Sequence, residues 1–376
     1  MFGGVRLFSH PILLSGKNMK IKKYFSVMVP GLLFAALIAG IIIYRSVSGP
    51  ATLNRYTATF LDVFDTRTEI VGFAKDKDDF AKDAQLIKDE LIRYNKLYDI
   101  YNDYPGVNNI KTINDNAGVK PVKVDPDIIS LIEFSIDTYY ETDGAVNIVL
   151  GSVLSLWHKE RMIGMDEPDR AKLPDEEKLK EAALHTDITN IVIDKENSTV
   201  FLTDPDMSLD VGSTGKGYAV QRVLEYAREK GLNNILLSLG GNISCIGTRI
   251  DGTCFRLGIQ NPDMDSDEQY VEMVDINDGE CVVSSGDYQR YYYVDGVRYC
   301  HIIDPKTLYP ADGFASVSVI TDDSGLADSY STALYTMTYE EGLEFVENKD
   351  NVEAMWIMHD GTKKYSEGFI EKYVKK

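Results

Sequence analysis

From Phe25 to Tyr44 the chain reads FSVMVPGLLFAALIAGIIIY, 20 residues without a charged side chain. At roughly 1.5 Å per helical residue, such a run matches a hydrocarbon layer of roughly 30 Å. It therefore splits the chain before any other feature does. Lys20, Lys22 and Lys23 precede it closely and only Arg45 follows closely, which keeps the amino-terminal side in the cytoplasm and sends the rest outward. A cleaved signal peptide is the competing reading, but the run is long for one and no small-residue cleavage pattern follows cleanly. Met19 opens MKIKKYF, a signal-like start, so residues 1–18 carry no structural weight. The expected layout is a cytoplasmic segment 1–24, a single-pass anchor 25–44, a linker 45–54 and one large extracytoplasmic domain 55–376.

Charge supports that division. Residues 1–50 hold Arg6, Lys17, Lys20, Lys22, Lys23 and Arg45 with no acid, so the remainder carries −26 in a chain of net charge −20. A body so acidic argues against gripping a nucleic-acid backbone, which needs clustered Lys and Arg. Apolar residues make up 44% of the 376, enough for a substantial core. No pair among Cys245, Cys254, Cys281 and Cys300 has CxxC spacing, which excludes a zinc or thioredoxin-like pattern. The four read as small buried apolar residues, with a Cys245–Cys254 bridge across a hairpin as the alternative.

Periodicity gives a coarse set of elements. Thr57–Phe73 alternates like a strand. Lys75–Tyr101 has helical spacing through Phe80, Ala84, Ile87, Leu91, Tyr94 and Leu97. Asp125-Pro126 opens another helix, with proline at its first position. Ile191–Ile193 and Thr199–Leu202 flank a turn at Glu196-Asn197. A helix is expected over Gly212–Gly231. Short strands follow at Ile235–Leu239, Ile243–Gly247, Phe255–Gln260, Val271–Ile276, Cys281–Ser284, Tyr291–Val294, Tyr299–Ile303 and Ala315–Thr321. Ser324 is placed to cap a final apolar helix through Met337. Runs of strands with helices segregated among them predict an α+β fold rather than an alternating βαβ wind.

Polar clusters interrupt this pattern. Asp210-Val-Gly-Ser-Thr-Gly-Lys216-Gly precedes a helix, whose free N–H groups and positive dipole end suit a phosphate. It is not a Walker loop, since Gly217 follows Lys216, and on spacing alone it is an ordinary glycine-rich turn. Leu239-Gly-Gly-Asn242 reads as a tight turn. Ser284-Ser-Gly-Asp-Tyr-Gln-Arg290 and His301-Ile-Ile-Asp-Pro305 each set hydrogen-bonding groups beside a strand. Asp328, Ser331 and Thr332 fall at i, i+3 and i+4 on one helical face. That face is either a plain polar surface or a set of hard oxygen donors for Mg²⁺.

In order and wording these clusters resemble the ApbE family, the FAD:protein FMN transferases. The resemblance runs from Phe64-Asp-Thr66 to Asp328–Thr332 and rests on Asp210…Lys216-Gly-Tyr-Ala219, Ser238-Leu-Gly-Gly-Asn242, Gly258-Ile-Gln-Asn-Pro262, Ser285-Gly-Asp-Tyr288, His301-Ile-Ile-Asp-Pro305 and Ala327-Asp…Ser-Thr-Ala333. It implies an ApbE-like, T-fold-like domain of mixed sheets with packed helices, preceded here by the one anchor helix. Phe64 stands where the family usually has Met beside the flavin. Tyr104, ahead of Asn114, matches an aromatic residue near the flavin. Ala145, Val146 and Asn147 match a Gly-Ala-Phe-Asp stretch lining the FAD site, with Phe and Asp replaced here by Val146 and Asn147. Asp210, Lys216 and Ile303 match further FAD-contacting positions. Ser213, in place of a glycine, would offer its carbonyl to Mg²⁺, with Asp328, Ser331 and Thr332 as the remaining ligands.

The activity so implied is Mg²⁺-dependent transfer of FMN from FAD, as substrate, to a Thr or Ser hydroxyl of an exported or membrane flavoprotein, releasing AMP. Such a transfer depends on positioning and charge neutralisation rather than on covalent work by the protein. His301 is the expected general base, because an ordinary imidazole titrates at about 6.5. Asp304 or Asp287 would orient or replace it. His10, His158, His185 and His359 lie outside the clusters. The alternatives are an FAD pyrophosphatase giving FMN and AMP, and a surface protein that holds FAD without turnover.

Overall fold

The computed structural model describes residues 53–374. The expected cytoplasmic segment 1–24, the anchor Phe25–Tyr44 and nearly all of the linker 45–54 lie outside the described residues. Among those described, no helix is long and apolar enough to cross a membrane.

The first alternating stretch is a hairpin rather than one strand: β1 (Asn54–Val63) pairs antiparallel with β2 (Thr66–Ala74). Its turn is Phe64-Asp65, with φ of 53° and 48°. Two consecutive left-handed residues match the twist of a tight hairpin, but the conformation costs a phenylalanine more than a glycine. The Phe64 N–H donates to Asn95 Oδ1 at 2.6 Å, which holds the turn. Asn95 lies on α1 (Lys77–Tyr98), capped by the Asp76 carboxylate. The buried stripe of α1 is the expected one, extended by Tyr98.

Next come α2 (Ile110–Asn114), β3 (Val122–Lys123) and α3 (Pro126–Glu141), the last capped by Asp125 as its Asp-Pro start predicts. Helices α4 (Gly151–Asp166) and α5 (Glu176–Ala182) have no counterpart in the periodicity reading. The hairpin β4 (Ile191–Asp194) and β5 (Thr199–Leu202) appears where expected and takes β3 on its open side. Helix α6 (Gly215–Glu229) starts three residues later than expected, because residues 212–214 form the turn ahead of it.

β6 (Ile235–Leu239) and β7 (Asn242–Ile246) close on Gly240-Gly241, with φ of 56° and 95°. A side chain at Gly240 would strike Thr66, so the β6–β7 turn and the Phe64 turn abut. After β8 (Phe255–Gln260), β9 (Tyr270–Ile276), β10 (Cys281–Gly286) and β11 (Tyr291–Val294), strand β12 (Val297–Cys300) ends one residue before His301. The expected strand Tyr299–Ile303 therefore does not continue, and Ile303 makes only an isolated bridge to Pro310. β13 (Ser316–Thr321) leads into α7 (Ser324–Thr336), whose cap is Asp323 rather than Ser324. Nor is α7 the last element: α8 (Tyr339–Glu347), β14 (Glu353–Ile357), β15 (Lys363–Tyr365) and α9 (Phe369–Tyr373) follow.

These strands build an eight-stranded sheet in the order β1-β2-β6-β7-β10-β13-β14-β15, antiparallel at every step. The α+β expectation holds. Both faces are covered, so its central strands are apolar on both sides. Ile70, Leu237 and Leu239 join α1, α3 and α6 in one core. Val283, Val317, Val319 and Trp356 pack with α7 and α8. Val71, Val282, Met355 and Ile357 point the other way, toward β8, β9 and α9. The four thiols are free, so the Cys245–Cys254 bridge is absent; three are buried and Cys254 is half-buried.

Candidate active site

Helices α6 and α7 meet at Gly217. A Cβ there would run into the Ser324 carbonyl and the Asp328 Cβ, so only glycine permits this approach. The Asp328 carboxylate, 4% exposed, then reaches the open amino end of α6. Its Oδ2 accepts the Gly217 N–H at 2.8 Å, and both oxygens lie 3.4 Å from Lys216 Nζ. A carboxylate at a helix amino terminus is favoured by the helix dipole. The partner helix thus supplies the cap that Thr214 does not, since Thr214 instead takes a 3.1 Å bond from Ser135 Oγ on α3. Gln221 completes the junction by accepting the Ser324 N–H at 3.1 Å.

The turn ahead of α6 is equally fixed. Asn114, at the end of α2, donates to the Leu209 carbonyl at 2.9 Å and accepts the Leu209 N–H at 2.8 Å. The Asp210 N–H donates to the Ile148 carbonyl at 2.7 Å. Asp210 Oδ1 accepts from Gly212 N at 2.8 Å, and Lys216 Nζ reaches the Gly212 carbonyl at 3.3 Å. Burial pushes the Asp210 carboxyl above its ordinary range, against the Gly212 N–H and the nearby His158, Arg161 and Lys216 side chains.

The hydroxyls of α7 differ from one another. Ser331 is wholly buried, paired with Ser285 Oγ of β10 at 2.8 Å and bonded to the Asp328 carbonyl at 3.0 Å. Thr332 Oγ1 spends its hydrogen on the same carbonyl at 3.1 Å, which leaves its lone pairs open. Asp328 Oδ1 has only the long Lys216 contact. Asp328 and Thr332 therefore keep oxygen capacity for a hard cation, whereas Ser331 is engaged as a tie between helix and sheet.

Other predicted residues fall on the rim. Phe64 lies at the hairpin turn. Tyr104 shares its neighbourhood, donating its hydroxyl to Asp99 Oδ2 at 2.7 Å, and is pushed up to about 12 by burial and by Asp99. Ala145 and Val146 pack against Ala333, one residue past Thr332. Asn147 turns its amide to the Thr186 carbonyl at 3.1 Å. Ile303 is buried against Trp157 and Tyr292.

His301 is partly buried, and its Nδ1 is enclosed without a partner. Its imidazole is pulled down to about 3 by burial, then by Arg290, Arg161 and Lys216. The ordinary value expected from sequence does not apply, and the ring is neutral at any working pH. Neither acid expected to orient it is bonded to it. Asp304 caps its own turn through the Lys306 N–H at 2.8 Å, and Asp287 is paired with Arg298 at 2.6 Å.

Sequence reading set His158 outside the clusters and passed over Tyr101 and Arg161. The fold gathers them. His158 stacks on Tyr101 with ring centroids 5.3 Å apart, and its Nδ1 lies 3.1 Å from the Arg161 guanidinium. The i, i+3 spacing of His158 and Arg161 is the available signal in the sequence, but the apolar periodicity marks no helix there. Asn242, from the Leu239-Gly-Gly turn, adds another enclosed, unpartnered amide nitrogen.

Among the described residues, His185, Asp204 and Asp206 also place ligand atoms within 4.8 Å of one another. There the imidazole is bonded to Asp204 at 2.8 Å and is raised by it, as in an ordinary ion pair. Two surface depressions, of about 680 and 520 Å³, lie along α1 and between α1 and the Gly106–Asp125 stretch, away from Asp328.

Comparison with known proteins follows the same outline. The model of the ApbE family matches residues 64–356. The FAD:protein FMN transferase of Klebsiella pneumoniae (strain 342) is 31% identical over 249 residues, 66% of this chain and 74% of the relative. The corresponding protein of Treponema pallidum (strain Nichols) is 31% identical over 277 residues, 70% of this chain and 74% of the relative. Among solved structures, the ApbE protein of Thermotoga maritima superposes with a TM-score of 0.73 at 29% identity, covering 84% of this chain and 98% of its own. The flavin transferase ApbE of Vibrio cholerae, at 24% identity and a TM-score of 0.70, shares the fold over 86% of this chain.

Proposed function

The chain belongs to the ApbE family and is an FAD:protein FMN transferase, and on that premise we propose how its own residues carry out the transfer. The acceptor is a Thr or Ser hydroxyl of an exported or membrane flavoprotein. Its oxygen attacks the FMN-side phosphorus of FAD, the bridging P–O bond breaks, and AMP leaves with the bonding electrons. The hydroxyl proton passes to His301, whose imidazole is neutral and whose Nδ1 has no partner among the described residues. The substrate's negative charge, arriving among Arg290, Arg161 and Lys216, offsets the field that holds the imidazole down and raises its basicity when it is needed.

The carrying observation is Asp328 held against the amino terminus of α6, beside Lys216. Open N–H groups, a fixed cation and a buried carboxylate in one place suit a dinucleotide pyrophosphate. Asp328, Thr332 and the Ser213 carbonyl would hold Mg²⁺. A cation held there would supply positive charge that offsets the charge developing on the substrate phosphates. Lys216 orients the same phosphates, and Phe64 and Tyr104 present apolar surface to the isoalloxazine ring. The uncharged Phe25–Tyr44 run supports a single-pass cell-membrane anchor with the domain outside the cytoplasm.

The test is to mix the protein with FAD, Mg²⁺ and an exported acceptor carrying the Thr or Ser. A covalent FMN phosphoester on the acceptor, by mass and by flavin fluorescence after denaturation, is the expected result. Free FMN with an unmodified acceptor would instead establish a pyrophosphatase, and tight flavin without turnover a carrier. Protease accessibility of the domain in intact cells tests the orientation.

A further inference from the structure

The β11–β12 hairpin stands apart from the main sheet. It forms a two-stranded sheet of its own and joins neither edge of the eight-stranded one. Two short strands alone are marginally stable at best, so side chains must hold them in place. The register sets Tyr291 opposite Cys300 and closes on the Asp295-Gly296 turn. Arg290 and His301 are therefore the residues just beyond the open end. The His301 ring is bonded to the Arg290 main chain across that end, and its Nδ1 has no partner among the described residues. Where the imidazole stands is thus set by where the hairpin stands.

The hairpin is attached on both faces. Residues directly opposite each other in an antiparallel pair share a face, and the face alternates along each strand. Tyr292 and Tyr299 lie on one face and pack with Trp157 of α4. The Tyr292 hydroxyl also donates to the Lys172 carbonyl at 3.1 Å. Packing on one face does not stop the hairpin from tilting about that aromatic row. Arg298 stands on the other face, over the Tyr291 ring at 5.4 Å, and its guanidinium meets Asp287 Oδ2 at 2.6 Å. Asp287 belongs to the main sheet: it follows β10 directly, is 6% exposed, and donates its N–H to the Ala315 carbonyl at 3.3 Å. Its Oδ1 is enclosed without a partner among the described residues, so the Arg298 bond is what ties hairpin to sheet on that face. Charge-assisted bonds of this kind are strong and directional. At roughly 3.3 Å per strand residue, Arg298 lies about 10 Å before His301 along the chain.

We propose that Asp287 is a positioning residue for the transfer: through Arg298 it clamps the β11–β12 hairpin to the end of β10, and the clamped hairpin presents His301 to the acceptor hydroxyl. The carboxylate does this without touching the imidazole. The proposal rests on the reading that His301 takes the acceptor proton and adds what holds that base in place. A misplacement of about 1 Å can cost on the order of a hundredfold in rate, so a small tilt of the hairpin is enough to matter.

The full chain is assayed with FAD, Mg²⁺ and an exported acceptor carrying the Thr or Ser. D287N and R298Q are each expected to lower kcat about tenfold while KM for FAD stays within about twofold. R298K, which can still reach the carboxylate, should recover part of what R298Q loses. Because Asp287 acts through His301, adding D287N to H301N should change the remaining rate by less than about twofold. Hydrogen exchange read by mass spectrometry should be faster across β11 and β12 in D287N and unchanged in β6 and β14. R298Q repeats each measurement if D287N does not fold. A D287N enzyme within about twofold of the wild-type kcat, an equal slowing of wild type and of H301N, or unaltered exchange in the hairpin overturns the proposal. An H301N enzyme at the wild-type rate would sink the base assignment instead. The exchange measurement needs no turnover, and in that case it still decides whether Asp287 holds the hairpin.

Discussion

The two flanks of Asp210 are built on opposite plans. On the α6–α7 side almost every polar group has a protein partner: Asp328 with Gly217 and Lys216, Ser331 with Ser285, Leu209 with Asn114. On the α4–β11 side the Arg161 guanidinium meets a histidine nitrogen rather than a carboxylate, and His301 Nδ1 has no partner among the described residues. The first flank is preorganised, so its dipoles need no rearrangement when phosphate arrives. The second is repulsive until an anion fills it.

The comparison breaks most sharply at Asp328. D328N keeps an acceptor for the Gly217 N–H but loses the charge, and transfer should fall by about 10³-fold or more with little change in fold. D328A should lose the activity and also about 1–3 kcal/mol of stability, because a buried N–H is left unpaired. Transfer rates beside thermal melts separate the two, and a D328N enzyme at wild-type rate would remove the metal role. N114A releases both bonds to Leu209, so about 1–3 kcal/mol of stability and a large part of the rate should go together, as read by denaturant titration and steady-state kinetics.

The other flank is probed by pH. The His301 value of about 3 lies below the ordinary 6.5 of an unfolded chain. Below pH 6.5 the unfolded state therefore takes up a proton that the folded state refuses. Stability from this group should fall as pH drops from about 6.5 toward about 3, and should not change above that window. H301N should flatten that limb of a stability–pH curve; an unchanged limb would assign it to other groups. R290A removes a positive neighbour, so the imidazole should titrate at higher pH, visible by NMR. The smallest effect is expected at S331A. If Ser331 is only a tie to Ser285, its loss costs about 0.5–1.5 kcal/mol and leaves Mg²⁺ dependence unaltered; a shifted Mg²⁺ requirement would restore it as a ligand.

Sequence legibility divides along the same line. The ordered flank is encoded locally: the α1 stripe, the Asp125-Pro126 start, the Gly240-Gly241 turn and the Asp210–Gly217 run all carry short-range signals. The Phe64-Asp65 turn has no glycine to mark it in the sequence, its backbone being held by Asn95 on another element. The unpaired flank left almost no trace. Helix α4 opens at Gly151 without a side-chain cap, and its packing stripe is weak, so His158 and Arg161 could not be placed on one face. Arg290 stood at the edge of a cluster that was read, but the absence of a carboxylate partner is a property of three-dimensional surroundings. The commitment of Asp287 to Arg298 was invisible for the same reason.

Gly217 and Asp328 are 111 residues apart along the chain, yet each is incomplete without the other. A polypeptide that has emerged from the ribosome only through α6 has a frayed helix start and no buried carboxylate to meet it. Chemistry is thereby tied to completion: until α7 has docked, a growing chain can encounter cellular flavin without splitting it.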